Sequence, residues 1–275
     1  MQRYCYLNEK IIPYNKACIK PTDIGLLRGY GVFEFLRTYY GKPFLLSKHL
    51  KRLVCSAKYL GLKVPKTQPQ IEEIIKELIK KNRVEECAIR IILTGGESKD
   101  SKTFQSSTFC ILIEDICNYP KRIYEKGIKL ATVDYKREIP EAKTLNYIVG
   151  IRELKRAKEQ KAFEPLYVFD NSVLECATSN FFIFKNNVLI TPKKDILLGV
   201  TRNLIIKLAG KKFKIEEREL LKKELDNASE AFITATSKEI IPVVKIDNKK
   251  IGDGRVGKNT KILMEIFQDF IKKFE

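Results

Sequence analysis

The chain of 275 residues holds a single histidine, so a histidine-built metal centre has almost nothing to draw on. Its seven cysteines stand at 5, 18, 55, 87, 110, 117 and 176, an odd number, with no CxxC pair and mostly apolar neighbours. We read them as free thiols of a cytoplasmic protein and expect no metal. There is no run of 18 apolar residues, and the opening MQRYCYLNEK has no long apolar segment. A membrane partner and a secretory signal are therefore not expected. The phosphate loop GxxxxGKS/T and the dinucleotide fingerprint GxGxxG are both missing, which removes the usual anchors of nucleoside triphosphates and dinucleotides. Acidic residues are scarce beside basic ones, 34 against 52, giving a net charge of +18. The lysines are spread through every segment, as in KELIKK and KKFK, which solvated faces explain. With no zinc-finger spacing, RNP-like motif or basic tail, no nucleic-acid partner is expected. The charge would still concentrate small acidic substrates.

What is present is globular: 44% apolar and 31% charged residues. YCYLNEKIIPY reads as a hairpin turning at Asn8-Glu9, and FEFLRTYYGKPFLL as another turning at residues 40–42. Ser47 is placed as the cap of a helix with apolar positions 50, 53, 54, 57 and 60, ended by Gly61 and Pro65. Residues 70–81 follow as a second helix, then strands at 88–94 and 107–114. The proline-bearing stretch CNYPKRIYEKG divides the chain into an N-terminal domain (1–117), a linker (118–127) and a C-terminal domain (128–275). The second half reads as strands at 128–133, 166–170, 180–185 and 187–191 and helices at 146–160 and from Thr201 to about 209. ERELLKKELDNA reads as a helix, AFITAT and KEIIPVVKI as strands, and GDGRVGKNT as a turn. The fold class is mixed α+β.

Four stretches carry candidate chemistry. Lys143, in EAKTLNY, lies at a boundary between small and apolar residues; in a partly buried pocket its amine would form a Schiff base with an aldehyde, while at the surface it would be an ordinary ion-pair lysine. Glu175, in LECATSNFFIF, would keep a pyridine nitrogen protonated, or would simply satisfy a turn. In ILLGVTRN, Gly199 permits close backbone approach and Thr201 marks a helix start, so free N–H groups there would hold phosphate or merely cap a helix. Thr234, Thr236 and Ser237 form a second cluster of donors. Arg52, in HLKRL, shares a helix with leucines; a half-buried guanidinium requires an anion, either a phosphate or a nearby glutamate. His49 reads as structural.

The order VFEFLRTY, HLKRL, EAKTLNY, LECATSNFFIF, ILLGVTRN, ITATSKEIIPV and IGDGRVG resembles the fold-type IV, or class IV, pyridoxal-phosphate enzymes over about residues 5–272. These include branched-chain aminotransferases, D-amino-acid aminotransferases and aminodeoxychorismate lyases. The resemblance implies pyridoxal 5'-phosphate between two domains of a homodimer. It makes Lys143 the covalent lysine, which would also move the substrate's α-proton, and Glu175 the partner of the pyridine nitrogen. Arg52, Thr201, Val200 after Gly199, and Thr236 would hold phosphate. Leu197 would pack on the ring, and Tyr147 would reach its hydroxyl.

For substrate, the resemblance points to Phe33, Phe35 and Arg37 along one strand face, to Arg90 in AIRI, which resembles the YIR strand of branched-chain enzymes, and to Ala235. Phe35 replaces the glycine of VFEGIR. The turn Thr94-Gly95-Gly96 lacks the arginine of the D-amino-acid TRG turn, whereas KTLNY resembles a KxLN motif found in lyases and D-amino-acid enzymes. The expected activity is transamination of branched-chain or other apolar L-amino acids with 2-oxoglutarate. D-amino-acid transfer, the lyase reaction, and a binding module that has lost catalysis are the alternatives.

Overall fold

A computed structural model describes residues 2–274. The chain forms two compact units, residues 2–117 with 142–146, and residues 118–141 with 147–274. No helix among the described residues is long and apolar enough to cross a membrane.

The first unit is an antiparallel sheet of β1 (Tyr4–Leu7), β2 (Lys10–Pro13), β3 (Gly31–Tyr39), β4 (Lys42–Pro43), β5 (Ala88–Thr94) and β6 (Thr108–Glu114), in the order β2-β1-β6-β5-β3-β4. A short helix, α1 (Ile24–Arg28), precedes β3. Both expected hairpins form. Tyr40 and Gly41, each at positive φ, make the tight turn into β4, and Pro43, with no N–H to donate, stops that strand after two residues. Val32, Leu36, Ile89, Ile91, Ile111 and Ile113 alternate onto one face, where α2 (Leu46–Tyr59) and α3 (Gln68–Asn82) cover them. Leu50, Leu53 and Ala57 are the buried stripe of α2, while Val54 faces out at 54% exposure. The cap of α2 is Leu45, in the left-handed region, and Ser47 lies inside the first turn rather than at the cap. Thr67 and Gln70 form a capping box that starts α3 two residues ahead of the expected position.

Glu34 also points from β3 into this apolar layer and is fully buried. Arg52 donates to its carboxylate through Nε (2.7 Å) and Nη2 (2.9 Å), and His49 lies 2.8 Å away through Nδ1. Burial alone would raise the pKa of Glu34, but Arg52 and His49 bring it down to about 2. Burial, with Arg52 and Lys143, holds His49 below its ordinary value against the pull of Glu34.

The second unit is built on α4 (Lys121–Lys126), β7 (Ile128–Asp134), α5 (Ile148–Glu159), β8 (Glu164–Phe169), β9 (Ser172–Cys176), β10 (Asn180–Lys185), β11 (Val188–Thr191), α6 (Val200–Ala209), β12 (Lys214–Glu217), β13 (Leu220–Leu221), β14 (Glu230–Ala235), β15 (Glu239–Ile246), β16 (Lys249–Lys250) and α7 (Lys258–Lys272). Its strands run β12-β11-β10-β14-β15-β7-β8-β9-β13, and β9 also pairs β10, which closes a ring of six strands. Leu130, Leu166, Phe181, Ile183, Ile233 and Ile241 fill one core cluster.

Several expectations are corrected here. The stretch expected as linker carries α4, begun after Pro120 and stopped at Gly127 with φ +73°. Residues 142–146 belong with the first unit, because Phe33 N–H donates to the Lys143 carbonyl and Leu145 N–H to that of Gly31, both at 2.9 Å. ERELLKKELDNA is not one helix. Its residues take part in β12 and β13 and in a 3-10 helix over Lys222–Asn227, because pairing with β11 and β9 overrides helix propensity. β9, which carries Glu175, and α7 were not anticipated.

The start of α7 is held by a strand residue. The Glu230 carboxylate accepts from Asn259 N–H (3.0 Å), Thr260 N–H (2.7 Å) and the Thr260 hydroxyl (2.7 Å). Gly257 is required beside it, since a Cβ there would lie 2.0 Å from Glu230 Cδ. Removing this cap with Glu230→Ala should cost roughly 1–2 kcal/mol, read as a lower urea midpoint.

A second prediction concerns acid. The folded pKa of Glu34 lies below its ordinary 4.5, so its stabilisation is complete above that value and is lost as pH falls toward about 2. It amounts to a contribution on the order of 3 kcal/mol. His49, also depressed, adds loss in the same direction below 6.5. Urea midpoints measured from pH 7 to pH 2 should fall steeply in the parent, and the part below pH 4.5 should flatten in Glu34→Gln.

Candidate active site

In the first unit, α2 turns His49, Arg52 and Ser56 toward one side, at helical spacing. Ser56 Oγ accepts from the Lys143 N–H at 3.0 Å, while the Lys143 carbonyl is taken by Phe33. The lysine backbone is thus pinned on both sides, and its Nζ lies 4.4 Å from the centroid of the Phe33 ring. Phe33, Phe35 and Arg37 share the half-buried face of β3, opposite Glu34. Arg90, on β5, lies with its Cζ 5.7 Å from the Phe33 ring and 4.9 Å from that of Phe35. Its guanidinium donates to both oxygens of Glu114, at 2.6 and 2.9 Å. Lys143, Phe33, Phe35 and Arg90 therefore come together. Arg37 lies farther along, stacked 4.1 Å over Tyr39 and 3.7 Å from Glu86. Of the two anions that Arg52 could have met, the structure shows the glutamate, Glu34.

In the second unit Glu175 lies on β9 and is 5% exposed. Its Oε1 accepts from Arg137 Nε (2.9 Å) and Nη2 (2.6 Å), and its Oε2 from Leu197 N–H (3.0 Å) and Asn180 Nδ2 (3.3 Å). Asn180 also donates to the Leu197 carbonyl at 2.7 Å, so both ends of the Leu197 peptide segment are clipped. Gly199 is the N-cap of α6, and a Cβ on it would meet Asn180 Oδ1 at 2.1 Å; only glycine lets the helix start come this close. Val200 is the first helical residue and Thr201, buried, the second, not the cap.

Glu175, Asn180 and Thr234 stand opposite one another across β9, β10 and β14, so their side chains share one face. Thr234 is 1% exposed and its Oγ1 has no hydrogen-bond partner among the described residues. Ala235 ends β14 and Thr236, half-buried, lies in the turn beyond. Tyr147 caps α5 beside Gly150, whose added Cβ would lie 3.4 Å from the tyrosine ring.

These residues fit pyridoxal phosphate. The start of α6 offers N–H groups to a phosphate, and a buried hydroxyl without a partner lies two strands from a buried carboxylate suited to a ring N–H. Sequence reasoning missed Glu34, Ser56, Arg137 and Asn180. Glu34, Ser56 and Arg137 meet partners far along the chain, and Asn180 meets Glu175 across the turn between β9 and β10.

Residues 31–246 match the model of the amino-transferase class IV family. The chain is 35% identical to a Methanocaldococcus jannaschii protein provisionally named a branched-chain-amino-acid aminotransferase, over 98% of this chain and 96% of that one. It is 30% identical to the D-alanine aminotransferase of Staphylococcus haemolyticus, over 97% of each. Among solved structures it resembles the Escherichia coli branched-chain amino acid aminotransferase (TM-score 0.93, 27% identity, 98% of this chain and 95% of that one). The motifs from VFEFLRTY to KEIIPVVKI lie inside the matched region, and the fold agrees over nearly the whole chain. The chain belongs to the class IV aminotransferases, pyridoxal-phosphate enzymes of mixed α+β fold type IV.

Proposed function

We propose that the protein transfers the amino group of branched-chain or other apolar L-amino acids to 2-oxoglutarate. The observation that carries this is the surface beside Lys143: two aromatic rings, Phe33 and Phe35, with one guanidinium, Arg90, lying against both. The rings suit an apolar side chain, and the arginine suits a carboxylate. The relatives named for branched-chain substrates support the reading.

D-amino-acid transfer is the second reading, favoured by the D-alanine aminotransferase relative. Against it, the turn at Gly95 and Gly96 presents no arginine. Exposed Leu26, Ile148 and Ile151, at 69%, 77% and 66%, support a homodimer that would cover apolar surface. Seven free cysteines support a cytoplasmic setting.

Pyridoxal phosphate supplies the electron sink that makes the substrate α-proton removable. Lys143 would hold the aldehyde covalently and then move that proton with the same Nζ. Glu175, fixed by Arg137, Asn180 and Leu197, would accept the ring N–H. The start of α6 at Gly199, Val200 and Thr201, together with Thr236, would hold the phosphate. Leu197 would pack on the ring, Tyr147 would meet its hydroxyl, and Ala235 would border the substrate.

Borohydride reduction of the holoenzyme followed by peptide mapping should place the label on Lys143; label on another lysine would overturn the assignment. Glu175→Gln should still load cofactor, yet lose roughly a hundredfold in turnover. Single-turnover absorbance changes should be faster with L-leucine than with D-alanine. The reverse order would select the D-amino-acid reading.

A further inference from the structure

Lys238 is a buried lysine that the proposed chemistry does not use. It is 5% exposed and follows Thr236 by two residues. Its backbone N–H donates to the Ala235 carbonyl at 3.1 Å, closing the turn between β14 and β15 that carries Thr236. Its ammonium turns inward and finds three acceptors: Glu164 Oε2 at 2.8 Å, Ser179 Oγ at 2.8 Å and Thr178 Oγ1 at 2.5 Å. Glu164 is itself buried. It accepts from the Thr178 N–H and hydroxyl through Oε1 and from the Ser179 hydroxyl through Oε2. Every N–H of the ammonium is used, and both carboxylate oxygens are occupied.

Such a pair is an expensive way to fill space. Two charges taken out of water recover their desolvation cost only with full hydrogen bonding, and apolar side chains of similar volume often do as well or better for stability. What the pair adds is geometry. Thr178 and Ser179 form the turn between β9 and β10, which also closes through Cys176 N–H to the Ser179 carbonyl at 2.8 Å. That turn sets Glu175 opposite Asn180. One ammonium thus fastens the turn beside Glu175 to the turn bearing Thr236.

We infer that Lys238, with Glu164, is a positioning residue that clamps these two turns and so fixes the separation of the ring-nitrogen carboxylate from the phosphate-binding hydroxyl. This rests on the cofactor roles proposed for Glu175 and Thr236.

The test compares binding of pyridoxal phosphate and of pyridoxal, which lacks the phosphate, to the cofactor-free full chain. The parent should bind pyridoxal phosphate; if it does not, the cofactor reading fails whatever Lys238 does. Replacing both partners, Lys238→Met with Glu164→Gln, leaves no unpaired buried charge and keeps an acceptor for the Thr178 N–H, so the thermal midpoint should stay near that of the parent. Affinity for pyridoxal phosphate should nonetheless fall about tenfold or more, and by more than affinity for pyridoxal. A folded double variant that binds pyridoxal phosphate within about twofold of the parent would overturn the inference. Lys238→Arg decides the matter should the double variant not fold. It keeps the charge but changes the donor geometry, and the same selective loss is expected; parent-like binding of both ligands would overturn the inference.

Discussion

A carboxylate removed from water must be answered by donors, and this chain meets that demand repeatedly. Glu34, Glu164, Glu175 and Glu230 are all buried or nearly so, and all lie on strands. Each draws its partners from another part of the chain: Arg52 and His49 from α2, Lys238 from the turn after β14, Arg137 and the Leu197 N–H from loops, and Asn259 and Thr260 from the start of α7. An unpaired buried carboxylate would cost several kcal/mol or take up a proton. Helix placement and loop path are therefore constrained by these four residues as well as by apolar packing.

Whether an element could be read from the sequence depends on how locally it is determined. The hairpins at Asn8 and Gly41 were legible because turn residues and alternation coincide within a dozen positions. Residues 220–227 were not, because Leu220 and Leu225 join a core made by distant strands, and a helical composition has no say in that. β9 is the short run SVLEC, which shows no clean alternation and leads into small residues; its pairing with β8 and β10 makes it a strand. α7 is a different kind of miss. Thr260, Leu263, Phe267 and Ile271 recur at spacings of three and four, and that period was present in the sequence.

The site shows the same division. Residue types were readable, and partners were not. An arginine among leucines announces that it requires an anion, but only the fold shows that Glu34, eighteen positions upstream, supplies one. Arg137 and Glu175 are thirty-eight positions apart, Lys238 and Glu164 seventy-four, and Lys143 and Ser56 eighty-seven. The placement of residues 142–146 with the first unit was equally out of reach, because it depends on two backbone hydrogen bonds to the start of β3.

Thr234 differs from all these groups in being left unanswered. Its neighbours show how finely the region is satisfied: Asn180 serves Glu175 and the Leu197 carbonyl with one amide, and leaves no room for a side chain at Gly199. In such surroundings a buried hydroxyl without a partner costs about 1–3 kcal/mol. Valine would fill almost the same volume and remove that cost. A threonine here therefore contributes less to stability than valine would, until a polar partner meets its hydroxyl. It lies on the face and in the row of the buried carboxylate, one strand from the asparagine that admits the start of α6.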